Sequence, residues 1–368
     1  MSENIVDPLA TSEAPASQIS SPETKTVKNV YVDSEFSSML ASQERDGRVP
    51  AALFTDIDNS FFRQDRKEAS KQLFDDLQRE GYPVVAVTGR SLDATERRIQ
   101  IGDFPQFPII AAAVGTEIYV LHDKNGQKVY EKDEVYERML SEKGYNRPEL
   151  DKIGQQMAED LSGRNPAYPN PHPEWQFDFQ KPLEELAYRE GKAAVRTPFK
   201  ISFYAFANSE SSLSALRVEA EKRFPGKKIV ICEEFGYNDS MQTGDTNKKY
   251  CIDILPTTKA GAVDYISEET GVVIKVIAGD SGNDSEMLTG TGDVSIIVGG
   301  SRPELISVVD NAVSETEDGR HFQRVTDASG KPIKLYYRER GTGLGPESIT
   351  RAIRYLKLAQ KLHARDSK

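Results

Sequence analysis

Residues able to do chemistry stand in three short stretches. Asp56-Ile57-Asp58-Asn59-Ser60 closes one apolar run, Thr88-Gly89-Arg90 closes another, and Gly279-Asp280-Ser281-Gly282-Asn283-Asp284 closes a third. In an open parallel sheet, ligands bind beyond the carboxyl ends of the strands. If these strands are neighbours, about 4.8 Å apart, then Asp56, Asp58, Asp280 and Asp284 converge with the Thr88 hydroxyl. Unpaired carboxylates repel one another, so the cluster calls for a cation. A hard, oxygen-ligated ion fits, and Mg2+ fits best because it takes few carboxylates and keeps waters. Carboxylates, magnesium and nearby backbone N–H groups make a site for phosphoryl transfer, where positioning and charge neutralisation dominate. An aspartate can itself attack phosphorus and become an aspartyl-phosphate. The four histidines are scattered and no zinc-like Cys/His spacing occurs, so the expected metal ligands are carboxylates.

The elements that must hold these residues follow from periodicity. Ala51–Asp58, Pro83–Thr88 and Phe107–Tyr119 are apolar runs suited to strands buried on both faces, the last dividing into two strands around Gly115. Lys67–Glu80 has helical spacing and stops at Gly81, and Ser91 is placed to cap a helix through Gln100. From about Leu121 to Lys249 the texture is more polar. It mixes helices (Glu137–Glu142, Pro148–Leu161, Ser211–Phe224) with strands (Phe199–Ala205, Lys228–Cys232) and a Pro-rich loop at Asn165–Pro173. The α/β rhythm returns with helix Thr258–Thr270, strand Val272–Asp280, short helix Ser285–Gly290, strand Val294–Val298, helix Arg302–Asp310 and a final helix Glu347–His363. An interrupted βαβ pattern of this kind predicts an α/β fold: a Rossmann-like core with a parallel sheet, plus a smaller inserted α+β domain. The expected boundaries are a flexible tail over residues 1–47, a core from 48–120 and 251–368, and an insert from 121–250. A short helix is expected near Glu35–Leu40 within the tail.

Composition excludes several classes. With 368 residues, 38% hydrophobic and 29% charged, the chain has material for a core and length for two domains. A net charge of -11 argues against nucleic-acid binding, and no apolar run is long enough to span a membrane. The start lacks a basic region followed by an apolar core, so a cytoplasmic protein with Cys232 and Cys251 reduced is expected. The only tryptophan, Trp175, reads as core ahead of a sugar-stacking platform. Gly341–Gly345 reads as a linker, since it lacks the Lys-Ser/Thr that completes a phosphate loop.

Taken in order, D-x-D-x-S at Asp56–Ser60, Thr88, Lys259 and GDSGND at Gly279–Asp284 resemble the four motifs of the haloacid dehalogenase superfamily. The second aspartate, Asp58, resembles the phosphatase branch. Val114–Ile118, Lys200–Tyr204 and Asp253–Pro256 ahead of Lys259 are similar to sucrose-phosphate phosphatases, as is the C-terminal segment from Gly343. Phe199 stands where that group has a histidine before the lysine, Ala260 stands where it has glycine, and Asp318–Arg340 is an extension.

The resemblance implies roles. Asp56 is the nucleophile; Asp58 protonates the leaving oxygen and then activates water. Asp56, the Asp58 carbonyl, Asp280 and Asp284 hold Mg2+. Lys259 neutralises Asp56 and a phosphoryl oxygen. Thr88, Gly89 and Asn283 bind phosphate, and Lys200 and Glu117 contact substrate. The implied ligand is a sugar phosphate, foremost sucrose 6-phosphate, with a sucrose-phosphate synthase as a partner and a monomer as the working unit. Competing readings are a phosphatase for another disaccharide or hexose phosphate, such as mannosylfructose phosphate, a phosphomutase on the same core, and a non-catalytic sugar-phosphate-binding module associated with a synthase.

Overall fold

The computed structural model describes residues 29–161, 197–207, 210–233, 248–303, 305–307, 322–326, 332–339 and 345–354. Along the chain the strands are β1 (Ala51–Thr55), β2 (Val84–Val87), β3 (Ile109–Ala112), β4 (Glu117–Lys124), β5 (Gln127–Lys132), β6 (Ile201–Ala207), β7 (Lys228–Glu233), β8 (Lys248–Leu255), β9 (Ile274–Gly279), β10 (Val294–Ile297), β11 (Phe322–Thr326) and β12 (Pro332–Arg338). They form a nine-stranded sheet in the order β11-β12-β10-β9-β1-β2-β3-β4-β5 and a three-stranded sheet in the order β6-β8-β7.

Strands β12, β10, β9, β1, β2 and β3 run parallel to their neighbours, while β4, β5 and β11 add antiparallel edges. Pleating sends alternate residues to opposite faces. Ala52, Phe54, Val85, Val87, Ile109 and Ala111 enter one core, and Leu53, Val84, Ala86, Ile110 and Ala112 the other. Burial on both faces explains the unbroken apolar runs. The chain leaves β1 toward β2 on one side and returns through β9 on the other, so the order reverses beside β1. That is where a crevice opens above the carboxyl ends of an open α/β sheet. The expected fold class is realised.

The expected helices are found at Lys67–Arg79, Leu92–Gln100, Glu134–Glu142, Arg147–Leu161, Glu210–Arg223 and Lys259–Thr270. Ser91 caps its helix as expected, its hydroxyl accepting from the Ala94 N–H. The short helix expected at Ser285–Gly290 is present inside one continuous helical stretch, entered through a 3-10 turn at Gly282–Asp284 and widening to a π-helical turn at Met287–Thr291. The final helix is described over 345–354 and Arg302–Asp310 is helical at 303 and 305–307; the remainder of both lies outside the described residues, as do the Asn165–Pro173 loop and Trp175.

Three boundaries differ from the sequence expectation. Strand β5, expected within the insert, pairs with β4 and extends the main sheet. Strand β8, divided at 250/251 by the expectation, lies wholly in the second sheet. The stretch assigned to a flexible tail through residue 47 contains a packed helix, Glu35–Arg45, with Phe36 and Leu40 buried and Ser34 as its cap. Gln43, fully buried, explains why this helix docks. Its amide donates to the carbonyls of Ala51 and Gly81 and accepts from the Ala51 N–H, completing backbone bonds at the entry to β1. The Ser- and Glu-rich composition masks a sparse apolar face.

Candidate active site

Asp56 is the first residue after β1, and its N–H donates to the Ala278 carbonyl on neighbouring β9. The chain then turns sharply. Asn59 takes a left-handed conformation (φ 61°), and the N–H groups of Phe61 and Phe62 return to the carbonyls of Asp56 and Ile57. Gly345, at the start of the last helix, abuts this turn. A Cβ there would stand 2.4 Å from the Asn59 carbonyl and 2.5 Å from that of Ser60. The Ser60 hydroxyl donates to Asp280 Oδ1 at 3.0 Å, tying the turn to the end of β9.

Asp284 folds back over the Gly279–Asp280 backbone. Its Oδ2 accepts from the N–H groups of Asp280 (3.0 Å) and Ser281 (3.1 Å). A side chain at 279 would occupy the same space, since its Cβ would lie 2.6 Å from the Asp284 Cβ. Lys259, the first residue of its helix and fully buried, donates to Asp56 Oδ1 at 2.6 Å and to Asp284 Oδ1 at 2.7 Å. Carboxylate oxygens of Asp56, Asp280 and Asp284 all lie within 4.8 Å of one another.

Three buried carboxylates crowd round one buried lysine, with the Arg302 charge acting on Asp280 as well. Burial pushes the Asp56 carboxyl well above its usual range; Lys259 opposes this, while Asp284, Asp280 and Asp58 add to it. Asp280 is pushed up to about 7 by burial and then by Asp284. Lys259 is raised despite its burial, because Asp284 and Asp56 outweigh the loss of water. A donor set of three hard carboxylate oxygens within 4.8 Å of one another fits a divalent cation such as magnesium.

Asp58 departs from the expectation of four convergent carboxylates. Its side chain is half-exposed and turned to Arg90, whose Nε and Nη2 form a two-pronged bond at 2.6 and 2.9 Å. Burial works against the Arg90 charge, but the Asp58 bond prevails and raises its pKa. Arg90 is a member of the site that its position in Thr88-Gly89-Arg90 did not identify by role. Thr88 is buried at the end of β2, with its hydroxyl accepting from the Arg90 N–H at 3.2 Å. Asn283 Oδ1 accepts from the Ser281 hydroxyl.

The remaining candidates divide. Lys200, just before β6, reaches the Gly89 carbonyl at 3.3 Å and pairs with Asp253 of β8 at 3.3 Å, so it bridges the second sheet and the Thr88-Gly89-Arg90 turn. Burial alone would lower its pKa, but the Asp253 charge and hydrogen bond raise it. Glu117, buried at the start of β4, instead faces Lys132 (3.5 Å) and the Tyr119 hydroxyl (3.4 Å) and stands apart from the carboxylate cluster. Its pKa is raised by burial against the pull of Lys132.

Sequence reasoning also missed the support behind Lys259. Ala113, Val114 and Gly115 take three successive left-handed conformations (φ 50°, 63° and 82°), which is costly for a β-branched valine. The Val114 N–H donates to the Thr88 carbonyl, and the Ala113 N–H to that of Arg90. Gly115 lies against the start of the lysine's helix, where a Cβ would be 2.8 Å from the Thr258 carbonyl and 3.0 Å from the Lys259 Cα. The turn therefore carries both the β2 loop and the lysine.

A model of the haloacid dehalogenase-like hydrolase family matches residues 53–319. No curated protein matches the chain. Among solved structures, the sucrose-phosphatase of Synechocystis sp. PCC6803, in complex with sucrose and phosphate, is similar with a TM-score of 0.54 and 21% identity, over 84% of this chain and 98% of that one. A haloacid dehalogenase-like hydrolase of Bacillus subtilis is similar with a TM-score of 0.42 and 16% identity, over 87% of this chain and 99% of its own. A subclass IIB sugar phosphatase is similar with a TM-score of 0.40 and 14% identity, over 70% and 91%. The family match takes in β1 with Asp56, the β2 turn, Lys259 and the Asp280–Asp284 loop. The chain belongs to the haloacid dehalogenase-like hydrolases.

Proposed function

We propose that this protein is a magnesium-dependent sugar-phosphate phosphatase whose foremost substrate is sucrose 6-phosphate. The observation that carries the reading is the buried Lys259 held between Asp56 and Asp284, with Asp280 alongside. In this reading Asp56, Asp280, Asp284 and the Asp58 carbonyl hold Mg2+, which supplies charge neutralisation at the phosphoryl group.

Asp56 attacks phosphorus, forming an acyl-phosphate bond as the P–O bond to the sugar breaks. Asp58 delivers its proton to the departing sugar oxygen, then takes one from the water that hydrolyses the aspartyl-phosphate, restoring both residues. For the first step Asp58 must part from Arg90, and its half-exposed carboxylate leaves room for that exchange. Lys259 opposes the upward shift that burial imposes on Asp56 and offsets charge growing on a phosphoryl oxygen. Thr88, the Gly89 N–H and Asn283 orient the phosphate. Lys200 contacts the sugar phosphate from the second sheet. A single chain working in the cytoplasm beside a synthase belongs to the same reading.

The test is phosphate release from sucrose 6-phosphate, mannosylfructose phosphate and hexose phosphates, with Mg2+ and with chelator. Release should be greatest with sucrose 6-phosphate and should vanish with chelator or with Asp56→Asn. Absence of turnover on every ester by metal-loaded protein would sink the phosphatase reading. A higher kcat/KM on another ester would reassign the substrate.

A further inference from the structure

The chain contains two cysteines, Cys232 and Cys251, separated by eighteen residues in sequence. The fold makes them direct partners across the antiparallel ladder of β7 and β8. Direct partners in such a ladder have Cα atoms about 4.5 or 5.5 Å apart, depending on their place in the hydrogen-bond pattern. Both spacings lie inside the roughly 4.4–6.8 Å range of disulfides. Strand β7 is an edge of its sheet, and Cys232, one residue from that strand's end, is partly exposed, whereas Cys251 is buried.

The surroundings tie the pair to the site. The Cys251 thiol donates to Asp253 Oδ1 at 3.6 Å, and Cys232 Sγ lies 4.0 Å from the Cys251 carbonyl. Asp253, two residues along the same face of β8, is the carboxylate that pairs with Lys200, which in turn bonds the Gly89 carbonyl. Lys200 meets Asp253 Oδ2, while the Ser202 hydroxyl donates to the same Oδ1 that takes the Cys251 thiol.

We propose that Cys232 and Cys251 are a reversible dithiol–disulfide switch, oxidised by a peroxide and coupled through Asp253 and Lys200 to the Gly89 turn. Peroxide converts the accessible Cys232 thiol to a sulfenic acid and releases water. The Cys251 sulfur then attacks the Cys232 sulfur, expelling a second water, and an S–S bond replaces two S–H bonds. Two electrons pass from the thiols to the peroxide; a dithiol reductant reverses the change. The oxidised Cys251 no longer donates to Asp253 Oδ1, so the carboxylate that holds Lys200 against Gly89 loses one of its two Oδ1 donors and is free to reorient. The contact with the Cys232 thiol, burial and the Asp253 charge raise the Cys251 pKa, so the buried Cys251 is the poorer initiating nucleophile of the two.

The effect on turnover rests on the phosphatase reading; formation of the bond does not. Full-length protein treated with hydrogen peroxide should lose two hydrogens in intact mass and yield a Cys232–Cys251 linked peptide, both reversed by dithiothreitol. The Cys232→Ser and Cys251→Ser variants should form no such link. Peroxide treatment should lower kcat/KM on sucrose 6-phosphate by about fivefold, within the usual range of coupling between sites, in wild type and not in Cys232→Ser. Unlinked thiols, or Cys232 stopping as an overoxidised acid, would overturn the switch. A linked protein with unchanged kcat/KM would overturn its coupling to Gly89. If no ester is turned over, the phosphatase reading fails while the mass measurement still decides the bond.

Discussion

Lys259 has two buried acids as partners, and each of them needs it. Replacing it with methionine removes the only cation hydrogen-bonded to Asp56 and Asp284 among the described residues. An uncompensated buried charge costs about 3–5 kcal/mol. Lys259→Met should therefore lower Tm as well as abolish turnover, read by thermal melts and phosphate release, and Mg2+ should restore part of the Tm. Asp56→Asn should behave oppositely: turnover is lost, but the metal-free Tm should hold or rise, because one of three crowded acids is gone. Asp56, Asp280 and Asp284 were legible because their types and positions at strand ends already demanded a cation. The orientation of Asp58 was not, because a two-pronged bond to Arg90 depends on where two loops meet in space.

At the scale of elements, the site is as good as the backbone that carries it. Gly115→Ala would drive a Cβ into Thr258 and Lys259 from a left-handed position, at a cost of roughly 1–3 kcal/mol. The lysine's helix must shift, so kcat should fall further than the Tm change alone explains; a combined melt and kinetic measurement checks this. The β11–β12 pair, unassigned by sequence, extends the main sheet beyond β10. It buries Lys334, whose Nζ has no hydrogen-bond partner among the described residues and sits 5.2 Å from the Tyr336 ring. Burial lowers its pKa to about 8. The folded state then binds fewer protons than the unfolded chain between about 8 and the ordinary lysine value, so this residue's contribution to stability rises with pH across that window. Lys334→Met should raise Tm at pH 7, with a gain that shrinks as pH climbs past about 8. A gain independent of pH would reject the assignment. The main strands were readable because double-sided burial leaves an unbroken apolar run, whereas edges such as β5 carry no such run.

For the whole molecule, the helix Glu35–Arg45 belongs to the core that supports β1. Deleting residues 1–47 removes Phe36 and Leu40, each contributing about 1.5–3 kcal/mol by burial, and the Gln43 bonds at the mouth of β1. That truncation should lower Tm sharply or leave the protein insoluble, and by more than deletion of residues 1–28, which keeps those contacts. By itself the sequence determined the α/β class and the acids Asp56, Asp280 and Asp284, which depend on local periodicity and on residue type at strand ends, and its ordered motifs resemble those of the hydrolase family to which the chain belongs. Only the tertiary structure decided that a Ser- and Glu-rich segment packs, that Asp58 faces Arg90, that Lys200 reaches Gly89 and that Cys232 faces Cys251. Each of these joins residues far apart in the chain, and their meeting is set by strand order and register, which no local pattern encodes.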